Sequence, residues 1–129
     1  MARADAPSEL AQRHLQTGLA YERLSRLDDA YTELQLAANL DPNDGQMALA
    51  VGVVAIRLQR DDEAQRSLEH AVVLDANSSA SYYELALLYE KKGLADRAVE
   101  CWKRFANLNQ DPALKAEAQR HVMYLEMHP

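Results

Sequence analysis

The chain has 129 residues, of which 48% are hydrophobic and 26% are charged, and it contains four glycines and four prolines. This composition is too apolar for a disordered chain and too poor in Gly and Pro for a loop-rich fold. A net charge of -6 argues against a general binder of nucleic acid or of anionic membranes. A single cysteine excludes an internal disulfide framework.

Neither a membrane-spanning segment nor a targeting segment is predicted. The longest apolar run, residues 47–56, is interrupted by Gly52 and falls well short of the roughly 18 residues that a membrane-spanning helix needs. Residues 1–7 lack the apolar core of a signal peptide. We therefore expect no membrane insertion and, by default, a cytoplasmic protein, although a chain whose signal peptide had been removed would look the same.

Helical segments separated by polar breaks follow one another along the chain. Residues 1–8 are expected to be frayed, and Ser8 is predicted to cap a helix over residues 9–24 because its oxygen can accept from unpaired backbone N–H groups. A second helix is predicted over residues 28–39. Further breaks are predicted at residues 41–44, 59–62, 75–78, 92–94 and 109–112. A last helix, residues 113–127, is predicted with Asp111 as its cap and Pro112 at its first position.

The sequence repeats itself with a period of 34 residues. Small residues fall on small ones and large residues on large ones at Gly18, Gly52 and Ala86; at Ala30, Ala64 and Ala98; at Leu34, Leu68 and Trp102; and at Leu40, Leu74 and Leu108. Such self-similarity predicts three repeats of two helices each, at about residues 11–44, 45–78 and 79–112. The small residues leave room where the two helices of a repeat approach each other, and the large residues fill the space beside them.

This pattern resembles the tetratricopeptide repeat over roughly residues 9–112. The third repeat carries it as Tyr82-x2-Leu85-Ala86-x2-Tyr89 followed by Ala98-x3-Trp102, and the first as His14-x2-Thr17-Gly18-x2-Tyr21 followed by Ala30-x3-Leu34 and Pro42. The resemblance implies an all-α, right-handed superhelical solenoid of three helix-turn-helix pairs with a concave inner surface. It also implies a non-enzymatic protein-interaction module without a cofactor.

The last predicted helix departs from the repeat pattern. A further shift of 34 residues places Arg120 in the glycine position, where a long charged side chain does not fit. Its apolar residues instead form a single stripe of Leu114, Ala118, Val122 and Leu125. We therefore expect residues 113–129 to form a capping helix and C-terminus that shield the last repeat.

Candidate binding residues lie on the first helix of each repeat, on the side that lines the groove in tetratricopeptide proteins. At 100° per residue, Leu49, Val53 and Ile56 lie opposite the packing residues of their helix. The resemblance places these apolar residues in the groove: Leu15, Leu19, Leu49, Val53, Ile56, Tyr83 and Leu87, edged by Gln12, Arg23, Gln46, Arg57, Glu90 and Lys91. A strip of this kind is large enough to indicate binding.

The expected ligand is an amphipathic helix or an apolar peptide segment. The family's well-known peptide site uses Lys and Asn to clamp a terminal carboxylate, but Leu15 and Leu19 occupy the matching positions here. An apolar strip with a polar edge suits an apolar segment instead. Two other interpretations stay open: self-association into a homo-oligomeric scaffold through the same surface, and partial burial of these side chains under neighbouring repeats.

Other candidate chemistry is weaker. The four histidines share no metal-ligand spacing, and His14 is expected to be a packing residue. Cys101 has no histidine near it in sequence, so we expect a partly buried thiol beside Trp102, itself a core residue. No nucleophile–base pair, phosphate-binding loop or metal cluster is predicted, which argues against catalysis.

Overall fold

The computed structural model describes residues 6–128, and these residues form helices, turns and no strand. The helices are α1 (Pro7–Arg23), α2 (Leu27–Leu40), α3 (Gly45–Arg57), α4 (Asp61–Leu74), α5 (Ser79–Lys91), α6 (Ala95–Leu108) and α7 (Pro112–Met127). Contacts divide the chain into two compact units, one ending at Leu74 with α1–α4 and one beginning at Asp75 with α5–α7. The predicted all-α helical repeat fold is confirmed.

The predicted start of the first helix is wrong. α1 begins at Pro7, and Ala6 precedes it without a side-chain hydrogen bond, so Ser8 is a helical residue and not the cap. Proline suits this position because the N–H that it lacks is one that the first turn of a helix leaves unpaired. Of the segment predicted to be frayed, residues 7–8 are therefore helical, and residues 1–5 lie outside the described part of the chain.

The predicted start of the last helix follows the sequence closely. α7 begins at Pro112, and Oδ1 of Asp111 accepts a hydrogen bond from the backbone N–H of Ala113 at 2.9 Å. This confirms both the cap and the proline at the first position. Asp44 and Ser78 act in the same way at the starts of α3 and α5, where their side-chain oxygens accept from backbone N–H groups.

In the first unit, α1 packs against α2, α3 packs against α4, and α2 also contacts α3. Gly18 faces Leu34 across the first pair, and Gly52 faces Leu68 across the second, so the small and large residues meet as predicted. A cluster of buried side chains forms the core: Ala11, Leu15, Ala30, Leu34, Ala37, Met47, Val51 and Val54.

The turn between the two helices of each repeat has the same backbone geometry three times. Ser25, Gln59 and Gly93, spaced 34 residues apart, all have a positive φ, of 58°, 60° and 76°. The backbone N–H of the residue after each donates to the carbonyl five positions earlier, at 2.8 to 2.9 Å. This is the Schellman ending of a helix, in which a left-handed residue lets the chain turn back on itself.

The second unit packs around an aromatic cluster. Trp102 is fully buried, and its ring lies edge-on to Tyr83 and to Phe105 at centroid distances of 5.4 and 5.8 Å. α7 packs against α6 through the predicted stripe, in which Ala118 and Leu125 are buried and the other two residues half-buried. Nζ of Lys115 adds a hydrogen bond to the carbonyl of Ala106 in α6, at 2.9 Å.

Candidate peptide-binding surface

The predicted groove residues lie on α1 and α3 of the first unit and on α5 of the second, and we call these residues together the odd-helix face. On the first unit, Leu19, Leu49, Val53 and Ile56 are half-buried. They are therefore neither fully open to solvent nor enclosed by their own chain. The predicted polar edge is exposed at Gln12, Arg23, Gln46 and Arg57.

Leu15 does not contribute to this face, and its predicted exposure is wrong. The side chain is only 2% exposed and belongs to the core of the first unit. Leu15 follows Ala11 by four residues and precedes Gly18 by three, so all three lie on the side of α1 that packs against α2. The burial of Leu15 could not be inferred from Leu49, its equivalent in the second repeat, because α1 and α3 bury different sides of their surfaces.

A charged pair joins the polar edges of α1 and α3. Nη1 of Arg57 lies 3.5 Å from Oε2 of Glu22, and the two side chains are 42% and 22% exposed. A pair this open to water contributes little to stability. It offsets the charge of Arg57 beside Val53 and Ile56, whereas Arg23 on α1 stays exposed.

On the second unit, α5 presents a different mixture of side chains. Leu87 and Lys91 are exposed, whereas Tyr83 is half-buried against the aromatic cluster. The Tyr83 hydroxyl donates to Oε1 of Glu117 in α7 at 3.3 Å. Burial first, and the neighbouring Glu117 carboxylate second, raise the pKa of Tyr83 above its ordinary value.

Glu90 is not a solvated edge residue, contrary to the prediction. Its Oε2 accepts the indole N–H of Trp102 at 2.6 Å and also lies 2.8 Å from Nδ1 of His121. The His121 ring stacks on Trp102 at a centroid distance of 4.2 Å. One carboxylate therefore ties α5 to both α6 and α7, and it satisfies a buried indole that would otherwise lack a partner.

Three side chains of α7 complete this part of the surface and were missed in the sequence. Glu117, His121 and Tyr124 follow Tyr83, Leu87 and Glu90 by 34 residues. Together with Glu90 and Arg120, they line an open groove of about 500 Å³. The 34-residue period could have identified these three residues. Because Arg120 occupies the glycine position, however, the sequence predicted only a capping role for α7.

Comparison with known proteins identifies the repeat. Residues 79–112, the range of the third predicted repeat, match the family model of the tetratricopeptide repeat. The first such domain of Spaghetti (RPAP3), bound to an HSP90 peptide, superposes with a TM-score of 0.83 at 17% identity, over 92% of this chain and 95% of that one. The third repeat therefore matches the tetratricopeptide repeat, and the chain shares the fold of tetratricopeptide repeat domains.

Two further structures are similar along almost their whole length. SycD, a type III secretion chaperone of Yersinia enterocolitica in complex with a peptide of the translocator YopD, has a TM-score of 0.84 at 16% identity, over 93% of this chain and 95% of that one. PcrH in complex with the chaperone-binding region of PopD has a TM-score of 0.79 at 23% identity, over 98% and 96%. A search of curated proteins finds no matching sequence.

The remaining candidate residues have structural partners within the tetratricopeptide repeat fold. Nδ1 of His14 lies 2.6 Å from Oε2 of Glu33, so this half-buried ring joins α1 to α2 through a polar contact. Cys101 and Trp102 are buried, as expected. Among residues 6–128, no three side chains of His, Cys, Asp or Glu come together as a metal site requires. The described helices include no segment with the length and apolar character needed to span a bilayer.

Proposed function

We propose that this chain is a non-enzymatic protein-interaction module that binds an amphipathic helix or an apolar peptide segment through its odd-helix face. The observation that carries the proposal is that in each unit aliphatic side chains stay partly open on a helix whose other side is packed. These side chains are Leu49, Val53 and Ile56 on α3 of the first unit and Leu87 on α5 of the second. An ordinary surface helix buries one apolar side and exposes a polar one.

The polar groups around these side chains favour such a ligand. Glu22 and Arg57 already satisfy each other, and the Glu90 carboxylate is occupied by Trp102 and His121. An apolar segment can therefore cover Val53 or Leu87 without leaving a buried charge unpaired, which would otherwise oppose binding.

Proteins of the same fold support the proposal. The Spaghetti domain holds an HSP90 peptide, SycD a peptide of YopD, and PcrH the chaperone-binding region of PopD. In this chain Leu15 and Leu19 stand where the family's carboxylate-clamping Lys and Asn are expected, so we infer an apolar internal segment and not a chain terminus. Because Leu15 is buried, the open apolar area is modest, and we expect dissociation constants on the order of 10 µM or weaker.

The test is a matched pair of leucine variants. Amphipathic helical peptides are first selected from a random display library against the wild-type protein, and their affinities are then measured by calorimetry. Leu87→Asp places a charge on α5 in the odd-helix face, whereas Leu36→Asp makes the same change at a comparably exposed leucine of α2, at 36% and 42% exposure. We expect Leu87→Asp to weaken binding about tenfold or more, by loss of apolar contact, and Leu36→Asp to leave it unchanged.

Equal losses from both variants, or peptides that bind without sensitivity to Leu87, would overturn the proposal. The alternative, a scaffold that self-assembles through the odd-helix face, gives a different result. In that case the wild-type protein forms oligomers that Leu87→Asp dissociates and Leu36→Asp does not. Sedimentation of the three proteins without peptide separates the two functions.

A further inference from the structure

The charges of the first unit are divided unequally between its helices. α1 and α3, which carry the odd-helix face of this unit, contain two acidic residues and three arginines. α2 and α4 contain seven acidic residues and one arginine. Although the chain has a net charge of -6, its apolar candidate surface in this unit therefore lies on the two helices that are not acidic.

Basic residues end only certain helices. Arg23 lies in the last turn of α1, Arg57 in that of α3, and Lys91 in that of α5. Among the described helices, the last turns of α2, α4, α6 and α7 hold no basic residue. The helix dipole favours a cation at the C-terminal end of any helix, so the dipole does not explain why only the first helix of each repeat has one.

Arg23 carries the uncompensated charge at this end of the first unit. It is exposed, and it follows the half-buried Leu19 by four residues, so the two side chains lie on the same side of α1. Arg57 and Glu22 pair at 3.5 Å and offset each other. Within residues 6–128, Arg23 itself has neither an ion pair nor a side-chain hydrogen bond. A ligand that covers Leu19 therefore meets a positive charge that still lacks a partner.

Two other arginines of the first unit have structural roles. The Arg26 guanidinium lies 2.7 Å from Asp29 and 4.7 Å from the centre of the Tyr21 ring. The Arg60 guanidinium, one repeat later, lies 4.7 Å from the centre of the Tyr31 ring. These contacts fix the turns between paired helices, whereas Arg23 makes no such contact and its guanidinium is available to a ligand.

We propose that the segment bound by the odd-helix face carries an acidic side chain beside its apolar residues, and that Arg23 binds this carboxylate. The inference rests on the proposed function and adds the chemistry of the ligand's polar side. The planar guanidinium of arginine presents its donors in a fork that matches both oxygens of a carboxylate. The acidic helices α2 and α4 repel the same side chain, so its charge also favours the odd-helix face over the rest of the first unit.

This ion pair would add more to specificity than to affinity. Because Arg23 is exposed, its pair with a ligand carboxylate stays in contact with water, and pairs of this kind are weak. Arg23→Gln should therefore weaken binding only about two- to fivefold. Salt screens such a pair, so raising the NaCl concentration from about 0.05 to 0.5 M should weaken binding by the wild type more than binding by Arg23→Gln.

The test exchanges charges between protein and peptide. Amphipathic peptides selected against the wild type are synthesised with blocked termini, so that a side chain is their only source of a carboxylate, and a second series has lysine in place of the acidic residue. Arg23→Glu should bind the acidic series about tenfold more weakly than the wild type and the lysine series more tightly.

Arg66→Glu is the matched control. Arg66 is an exposed arginine of α4, so this variant changes the net charge by the same amount on a helix outside the odd-helix face. It should change the affinity for either series by less than about twofold, because the distant charge is screened by salt. Circular dichroism of both variants and of Arg23→Gln checks that each protein is folded.

Three results would overturn the inference: selected peptides with as many basic as acidic residues, equal effects of Arg23→Glu and Arg66→Glu, or an Arg23→Gln variant with the affinity and salt dependence of the wild type. Each leaves the proposed function standing if Val53→Asp still abolishes binding, since that variant tests the apolar contact and not the ion pair. Binding that also survives Val53→Asp would overturn both.

Discussion

Gly52 lies so close to Leu68 that the structure leaves no space for a side chain between them. A Cβ atom on Gly52 would lie 2.7 Å from both Cγ and Cδ2 of Leu68, and the same distances separate a Cβ on Gly18 from Leu34. Real Cβ atoms essentially never approach other carbon atoms this closely. The close approach of α3 to α4, and of α1 to α2, therefore depends on the absence of a side chain at two glycines.

Gly52→Leu should unfold the first unit. Leucine overfills the contact with Leu68, and we expect the free energy of unfolding to fall by about 3 kcal/mol or more. Gly52→Ala should lower it by about 1 to 2 kcal/mol, even though alanine favours helix over glycine. Urea denaturation followed by circular dichroism measures both values, and a more stable Gly52→Ala variant would contradict the packing argument.

The pair can also be tested by a double-mutant cycle. Leu68→Ala alone should lower the free energy of unfolding by about 2 to 5 kcal/mol, because Leu68 is fully buried and its truncation leaves a cavity. In the Gly52→Ala and Leu68→Ala double variant the new methyl group enters that space. The double variant should therefore lose less stability than the sum of the single variants, and simple additivity would indicate that the two residues do not constrain each other.

Glycine in the turns of the first two repeats should stabilise the protein. Ser25 and Gln59 adopt a left-handed conformation that costs an L-residue about 1 to 2 kcal/mol, and the third repeat has Gly93 in the same place. Ser25→Gly and Gln59→Gly should each raise the free energy of unfolding by about 0.5 to 1 kcal/mol. The reverse change, Gly93→Ala, should lower it, and a destabilising Ser25→Gly would contradict the turn geometry.

The fold was largely predictable from the sequence because its determinants repeat. Small residues such as Gly18 and Gly52 recur with a fixed period opposite large ones, so three weak local signals support one another. The left-handed turns were not predicted, because Ser25 and Gln59 are not residues that favour this conformation. The start of α1 was missed because Ser8 and Pro7 are both acceptable helix starts, and the sequence does not rank them.

Loss of the Glu90 carboxylate should destabilise the second unit. Trp102 is fully buried and its indole N–H donates to Glu90 at 2.6 Å, so Glu90→Ala leaves a buried donor unpaired. We expect Glu90→Ala to lower the free energy of unfolding by about 1 to 3 kcal/mol. The fluorescence emission of Trp102, the single tryptophan of the chain, should also change. Glu90→Gln keeps an acceptor oxygen and should retain most of the stability, and equal losses from both variants would contradict this role.

The stability of the second unit should decline at alkaline pH partly through Tyr83. Burial and Glu117 raise the pKa of Tyr83 above 10.0 in the folded chain, so the folded state disfavours the ionised phenol. The stabilisation is therefore fully present below pH 10 and is lost as the pH rises through the higher, folded-state pKa. Urea denaturation above pH 10 should show a shallower decline for Tyr83→Phe than for the wild type, and identical slopes would contradict the assignment.

The candidate surface was only partly predictable. Spacing alone placed Val53 on the side of α3 away from Gly52 and Leu87 on the side of α5 away from Ala86. Both side chains keep some exposure in the structure. It failed for Leu15, because how much of a helix is buried depends on the tilt and width of its neighbour. It also failed for Glu90, since the hydrogen bonds to Trp102 and His121 join three helices and depend on side-chain orientations that the sequence does not specify.

A matched pair of valine variants separates binding from folding. Val53 is half-buried on α3, and Val73 is 79% exposed on α4, so Val53→Asp tests the odd-helix face and Val73→Asp is the control. We expect Val53→Asp to abolish binding of the selected peptides while the helical content stays nearly unchanged, and Val73→Asp to alter neither. Calorimetry and circular dichroism measure the two properties, and binding that survives Val53→Asp would contradict the prediction.

The most direct measurement maps a selected peptide onto the protein by methyl NMR. The account predicts that titration with the peptide shifts the methyl resonances of Val53, Ile56 and Leu87, whereas those of Leu36 and Val73 stay where they are. Shifts confined to Leu36 and Val73, or to the exposed Met123 and Met127 of α7, would contradict it.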